Sequence, residues 1–199
     1  MEAFSDGVFA IAITLLVLDL AIPETSYSSA HLLDAIGHEW PGYIGYLVSF
    51  FTIGALWLGH NTITDYLEQA DSTLLRLNLL LLLLVAFLPF PTRLLATFVT
   101  RGHAERVAVT VYGLTLLAAA VLLSLLWRYA LRAGLIRPDT ADEEITLLSQ
   151  RLTPGLAGYV ALLVVGLFVP AIAVGGYLVI ALFFLLPFRL PTRRGRARK

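Results

Sequence analysis

Long apolar stretches separated by short polar ones dominate this chain. A bilayer-spanning helix needs roughly 20 mostly apolar residues. Residues 4–22 meet that need, giving about 28 Å of helix at about 1.5 Å per residue. Ser5 and Asp6 at its start are capping types, and Pro23 disfavours continuation. A polar loop covers residues 24–39. The second span is residues 40–61, where Pro41 suits a first turn and Trp40 and Tyr43 suit a membrane interface. The third, residues 72–88, holds a Leu-rich run from Leu77 to Leu84 broken only by Asn78; Pro89 and Pro91 kink or end it. A turn around Arg101, Gly102 and His103 leads to a fourth span, residues 105–129. Residues 132–151, with Asp142, Glu143 and Glu144, read as a loop with room for a short surface helix. The stretch 152–188 is long for one span and short for two, with break points at Pro170 and at Gly175 and Gly176. Two spans of about 17 residues divided near Pro170 bring the expectation to about six. A single long span there would instead put the two termini on opposite sides.

Composition agrees with an all-α membrane protein. Hydrophobic residues make up 58% of the chain and charged ones 14%, where soluble domains carry about a quarter. A single soluble core cannot hide that much apolar surface. The charges are also segregated. No Lys or Arg occurs before Arg76, and Arg189, Arg193, Arg194, Arg196, Arg198 and Lys199 form a basic tail. We expect a transmembrane domain over residues 1–188 and a basic cytoplasmic tail over 189–199. Lys and Arg in short loops set orientation. With six spans, one side collects the tail with Arg76, Arg128, Arg132, Arg137 and Arg151, and the other receives Arg93, Arg101 and Arg106. Both termini are therefore expected to face the cytoplasm of a multi-pass cell-membrane protein. The tail suits anionic lipid headgroups, and no folded basic surface accompanies it to suggest nucleic acid. The first residues lack the positive n-region of a signal peptide. With no cysteine in the chain, disulfides and thiolate metal sites are excluded.

Polar residues near the ends of the spans are the candidates for chemistry. Asp6 and Asp19 flank the apolar middle of span one. Asp19 reads either as an interfacial carboxylate or as one of a ring at a pore mouth that concentrates cations. Ala10, Ala12 and Thr14 allow close helix packing, and periodicity alone favours a buried helix over a pore-lining one. Span two ends in Trp57, His60 and Asn61. A buried His and Asn need partners, and topology brings them to the membrane face that holds Ser5 and Asp6. A lone interfacial histidine is the plainer reading. No catalytic constellation stands out: the four histidines lack zinc spacing, and no phosphate loop or nucleophile elbow occurs. An enzyme is not expected, and no cofactor.

The opening Phe4-Ser5-Asp6-Gly7, followed by Val-Phe-Ala-Ile-Ala-Ile-Thr-Leu-Leu-Val-Leu, resembles bacterial members of the transmembrane protein 175 family. These are potassium channels unlike the usual filter-bearing kind. The likeness continues in Trp57-x-x-His60 and in the count of spans. The family's signature also has an Arg four residues before the Phe, a position that falls just before Met1. The resemblance implies a homotetramer of six-helix subunits with four copies of span one around the axis, conducting potassium without a Thr-Val-Gly-Tyr-Gly filter. It places the pore constriction at Ile11, with Leu15 and Leu18 as the next rings. It makes Thr14, Asp19 and Ile22 pore-lining and joins Phe4, Ser5, Asp6, Trp57, His60 and Asn61 in a structural network. Ile11, Leu15, Leu18 and Ile22 fall at i, i+4, i+7 and i+11, which is one helix face. Potassium is then the permeant ion and lipid the surrounding partner. Selectivity over sodium should be modest without a tailored oxygen cage. A secondary transporter is the alternative. The break near Pro170 would suit one, but no internal repeat or mid-span charge accompanies it.

Overall fold

The computed structural model describes residues 1–20, 29–98 and 103–186, and apart from one isolated β-bridge these are helices, turns and short connections. Helix α1 (Glu2–Leu15) tightens into a 3-10 turn at Leu16–Asp19. Together they reach about 29 Å, enough to cross the hydrocarbon. Ile22 lies outside the described residues, as does the basic tail. Within the segment expected to be a loop, α2 (Ser29–His38) forms a short helix.

Helix α3 (Trp40–Tyr66) carries Pro41 in its first turn and continues past the expected end at Asn61. Helix α4 (Ser72–Phe87) starts on Asp71, whose Oδ1 accepts the Leu74 N–H at 2.7 Å. Of the kink or end expected at Pro89 and Pro91, the end does not occur. Leu88 keeps helical dihedrals, its N–H still reaches the Leu84 carbonyl, and α5 (Pro89–Phe98) resumes at once. A proline is tolerated in the first turn of a helix because its missing N–H is not needed there. Residues Ser72–Phe98 therefore make one long apolar crossing.

Helix α6 (His103–Arg132) ends where Gly134 takes φ of +67°, the left-handed region that favours glycine. Leu135 N–H then reaches the Ala130 carbonyl and Gly134 N–H the Leu131 carbonyl, a Schellman cap. The expected loop 132–151 is only partly a loop. Asp142, Glu143 and Glu144 are the first turn of α7 (Asp142–Phe168). Carboxylates there are favoured by the helix dipole, so the acidic triplet starts a span where a loop was expected. The chain breaks at Val169, with Pro170 opening α8 (Pro170–Leu185). The division of 152–188 near Pro170 therefore falls where expected, one continuous helix through 152–188 is excluded, and the first of the two helices begins earlier, at Asp142. Gly175 and Gly176 sit inside α8 and break nothing.

By length and composition α3, α4 with α5, α6 and α7 are able to cross a membrane, and α8 is a shorter apolar helix. The leucine run of α4 shows how the bilayer shapes the sequence. Leu74, Leu81, Leu82, Val85 and Leu88 are buried, whereas Leu79, Leu80 and Leu83 are exposed. One side packs within the chain and the other is open, and both sides are apolar. Small residues allow close approach: a Cβ added to Gly45 on α3 would sit 3.4 Å from Ala96 Cβ on α5. Beyond α3 and α6, an antiparallel bridge pairs Leu67 with Ile136, and Glu68 N–H reaches the Leu135 carbonyl at 2.9 Å.

Candidate pore helix and its buried brace

Helix α1 has two faces that hydropathy does not distinguish. Ser5, Phe9, Ala12 and Leu16 are buried against α3 and α4. Phe4, Ile11, Leu15 and Leu18 are exposed, Ile11 at 61% and Leu18 at 73%. At about 100° per residue these sets lie on different faces of the helix, about 120° apart. Thr14 belongs to the open side. Its hydroxyl sits 3.0 Å from the Ala10 carbonyl and 3.0 Å from that of Ile11. The single hydroxyl proton is used within the helix, so only oxygen lone pairs remain for anything outside. Asp19, at the end of the 3-10 turn, is half-buried and has Arg93 of α5 as its charged neighbour.

The buried side carries a polar brace. Trp57 Nε1 donates to Asp6 Oδ1 at 2.8 Å. His60 Nε2 and Asn78 Oδ1 are 2.8 Å apart, and Asn78 Nδ2 donates to Ser5 Oγ at 3.1 Å. Ser5 Oγ donates in turn to the Met1 carbonyl at 3.2 Å. The directions are fixed by elimination. A carbonyl only accepts, so Ser5 must donate to Met1 and accept from the Asn78 amide. Asn78 Oδ1 then faces His60, which must donate from Nε2. That leaves His60 Nδ1 as a buried lone pair with no partner. Ser5, His60 and Asn78 are each at most 2% exposed. The Phe9 ring packs over the imidazole with centroids 5.6 Å apart.

The geometry redistributes the expected network. Ser5, Asp6, Trp57 and His60 do meet. Phe4 does not join them; its side chain is 62% exposed on the open face. Asn61 stands apart as well, and its carbonyl accepts from Thr64 Oγ1 at 2.9 Å. Asn78 takes the place expected of Asn61. The signal for it was present in the sequence as the one polar residue in the run Leu77 to Leu84. An amide among leucines needs a partner on another helix. A second buried chain, also not foreseen, runs from Tyr112 on α6 through Ser49 on α3 to Thr92 on α5, at 3.0 and 2.7 Å. Thr92 passes its proton to the Leu88 carbonyl, so Ser49 donates to Thr92 and accepts from Tyr112. Among the described residues no group of three His, Cys, Asp or Glu side chains is placed to hold a metal ion.

The comparisons with known proteins bear on the same elements. A family model described as endosomal/lysosomal potassium channel TMEM175 matches residues 1–89, which contain every member of the Ser5, Asp6, Trp57, His60 and Asn78 brace. A potassium channel from Streptomyces collinus is 40% identical over 160 residues, covering 80% of this chain and 77% of that protein. Another from Chamaesiphon minutus is 37% identical over 190 residues, covering 94% and 92%. The crystal structure of a lysosomal potassium-selective channel TMEM175 homolog from Chamaesiphon minutus matches with a TM-score of 0.84 at 35% identity, over 93% of this chain and 94% of that one. With sequence and fold alike along nearly the whole length, the chain belongs to the TMEM175 family.

Proposed function

We propose that this chain is the subunit of a potassium channel, a homotetramer of six-span subunits in the cell membrane with four copies of α1 around the ion path. The observation that carries the reading is the open apolar stripe of Phe4, Ile11, Leu15 and Leu18, about 120° around α1 from the face that α3 and α4 hold. The potassium-channel names of its full-length relatives agree with it. Ile11 forms the narrowest ring in this reading, with Leu15, Leu18 and then Ile22 further along. Thr14 offers oxygen lone pairs beside them, and Asp19 contributes a carboxylate near the mouth.

The mechanism follows from the side chains. A narrow ring of hydrocarbon resists wetting and closes the path to ions. Slight widening lets partly dehydrated cations through. Potassium holds its water less tightly than sodium, so the dehydration cost falls more heavily on sodium. No cage of carbonyls sharpens the discrimination, and selectivity is modest. The hydrogen-bonded residues behind α1 brace it and set the bore. Cytoplasmic termini place this brace at the inner face, and the basic tail meets anionic headgroups there.

Liposome flux and bilayer recording of Ile11→Asn test the reading. A polar ring wets more readily, so conductance should rise and the preference for potassium over sodium should fall. Unchanged conductance and unchanged selectivity would remove Ile11 from the constriction.

A further inference from the structure

Behind α3, on the side away from α1, the bundle encloses a cavity of about 40 Å³ between α3, α6, α7 and α8. Small residues on three helices keep it open: Gly59 on α3, Ala120 on α6 and Gly155 on α7. A Cβ on Gly59 would come within 2.9 Å of Leu123 Cδ2, and one on Gly155 within 2.7 Å of the Phe184 ring. Tyr159 contributes a further wall. Phe184 and Gly155 are only partly buried, so the rim of the cavity lies at the surface of the bundle.

One buried polar atom among the lining residues is without a partner. Ser124 is 6% exposed, and its hydroxyl has no hydrogen-bond partner. The other side-chain hydroxyls of α6 that face their own helix behave differently. Thr110 donates to the Arg106 carbonyl at 2.7 Å and Thr115 to the Val111 carbonyl at 2.9 Å. That backbone bond is the ordinary resting place of a hydroxyl in a membrane helix. Ser124 forgoes it and lines the cavity instead.

We propose that this cavity is a binding site for a small alcohol, an apolar body of a few atoms with a single hydroxyl that pairs with Ser124. Water fits poorly, because a buried water needs two to four polar partners and the cavity supplies one unsatisfied hydroxyl. A purely apolar molecule would leave that hydroxyl buried and unpaired. The size agrees. A single water needs about 10–15 Å³ on this scale, so the volume suits about three or four non-hydrogen atoms. A longer chain would trail past Phe184 into lipid.

The position gives occupancy a consequence. Gly59 lies two residues from Trp57, about 200° around α3. The helix thus has the cavity on one side and the brace to α1 on the other. A ligand that shifts α3 therefore acts on the pore helix, a step that rests on the channel reading above.

Binding is tested with 2-fluoroethanol and the full chain in nanodiscs, read by fluorine NMR against empty nanodiscs. The native protein should give saturable binding. Ser124→Ala removes only the hydroxyl and should weaken binding roughly three- to tenfold. Ala120→Leu fills the space and should abolish it. Absence of saturable binding, or equal affinity in native protein and both variants, overturns the site. Potassium flux measured over the same concentrations should change with the NMR midpoint. A flux that ignores an occupied site overturns the coupling through α3, and the binding data stand apart from whether the chain conducts at all.

Discussion

Replacing Asn78 with leucine tests the brace most directly. Leucine is a strong helix former in a run already made of leucine, so local helix formation is not at risk. What changes is the hydrogen bonding. His60 Nε2 loses its acceptor at 2.8 Å while the ring stays 1% exposed. Its Nδ1 has no partner already, so both ring nitrogens would be buried and unpaired. Ser5 is less affected, because it keeps its bond to the Met1 carbonyl. Two magnitudes compete. Interhelical hydrogen bonds in membranes average about 0.6 kcal/mol and reach about 1.7. A buried donor left unsatisfied costs about 1–3 kcal/mol. The second dominates, because the imidazole sits under Phe9 and has no route to water. Asn78→Leu should therefore cost about 2 kcal/mol, nearly a thirtyfold change in the folding equilibrium. Adding His60→Leu removes the orphaned donor, so the double variant should be milder than the sum of the singles by about 1–2 kcal/mol. Reversible denaturant unfolding in mixed micelles supplies all four corners of the cycle. Additivity within about 0.5 kcal/mol would mean that the two side chains do not share a bond that matters, and the brace as drawn would fall.

Other consequences are simpler. Trp57→Phe keeps the packing and removes the N–H that holds Asp6; hydrogen exchange of the first turns of α1 should quicken roughly tenfold, and unchanged exchange would show that Asp6 anchors nothing. Gly113→Ala drives a Cβ into the Tyr177 hydroxyl and to 2.8 Å from Leu163 Cδ2, in a fully buried tyrosine cluster. It should lower stability by about 1–3 kcal/mol. Tyr177→Phe deletes a hydroxyl that has no partner and should relieve part of that loss when combined with it, the ring Cζ still lying 2.9 Å from the added Cβ, as thermal unfolding would register. Asp71, outside the spans, has its carboxyl held below the ordinary value of 3.8 by the Leu74 N–H and by the Tyr129 hydroxyl. A depressed folded value means its stabilisation is present above 3.8 and is lost as pH falls through the lower folded value. The stability gap between native protein and Asp71→Ala should be steady above 3.8 and close below it, so a gap independent of pH would contradict the cap.

The fold was legible where the bilayer writes it plainly. Apolar runs longer than a soluble core requires, with Trp40 and Pro41 at one boundary and Pro170 at another, mark crossing segments whatever their neighbours are. Boundaries were misplaced where a residue has two physical meanings. Asp142, Glu143 and Glu144 read as a solvated loop because they are charged, yet the same charges suit the positive end of a helix dipole. Pro89 read as a kink or a stop because it breaks helix interiors, yet a proline that opens a new helix breaks little. Neither ambiguity is settled by composition, because the deciding factor is which backbone N–H groups are already without partners.

The site was half legible for a related reason. Hydropathy treats the residues of α1 as equals, so it separates neither Ile11 from Ile13 nor Leu15 from Leu16. Packing alone would not fix the rotation of such a helix either. Every orientation of an apolar helix buries some isoleucine or leucine at similar gain. The polar brace is what distinguishes them. A turn of α1 by one residue, about 100°, would carry Ser5 away from Asn78 and leave a buried amide N–H without its partner. Buried polar groups of this kind are best attested as devices that fix register. Here a single serine and a single asparagine select which hydrocarbon side chains are left facing outward. The stripe of Phe4, Ile11, Leu15 and Leu18 is thus specified from another face of its own helix. For that reason the residues that choose the exposed apolar stripe need not lie on it themselves.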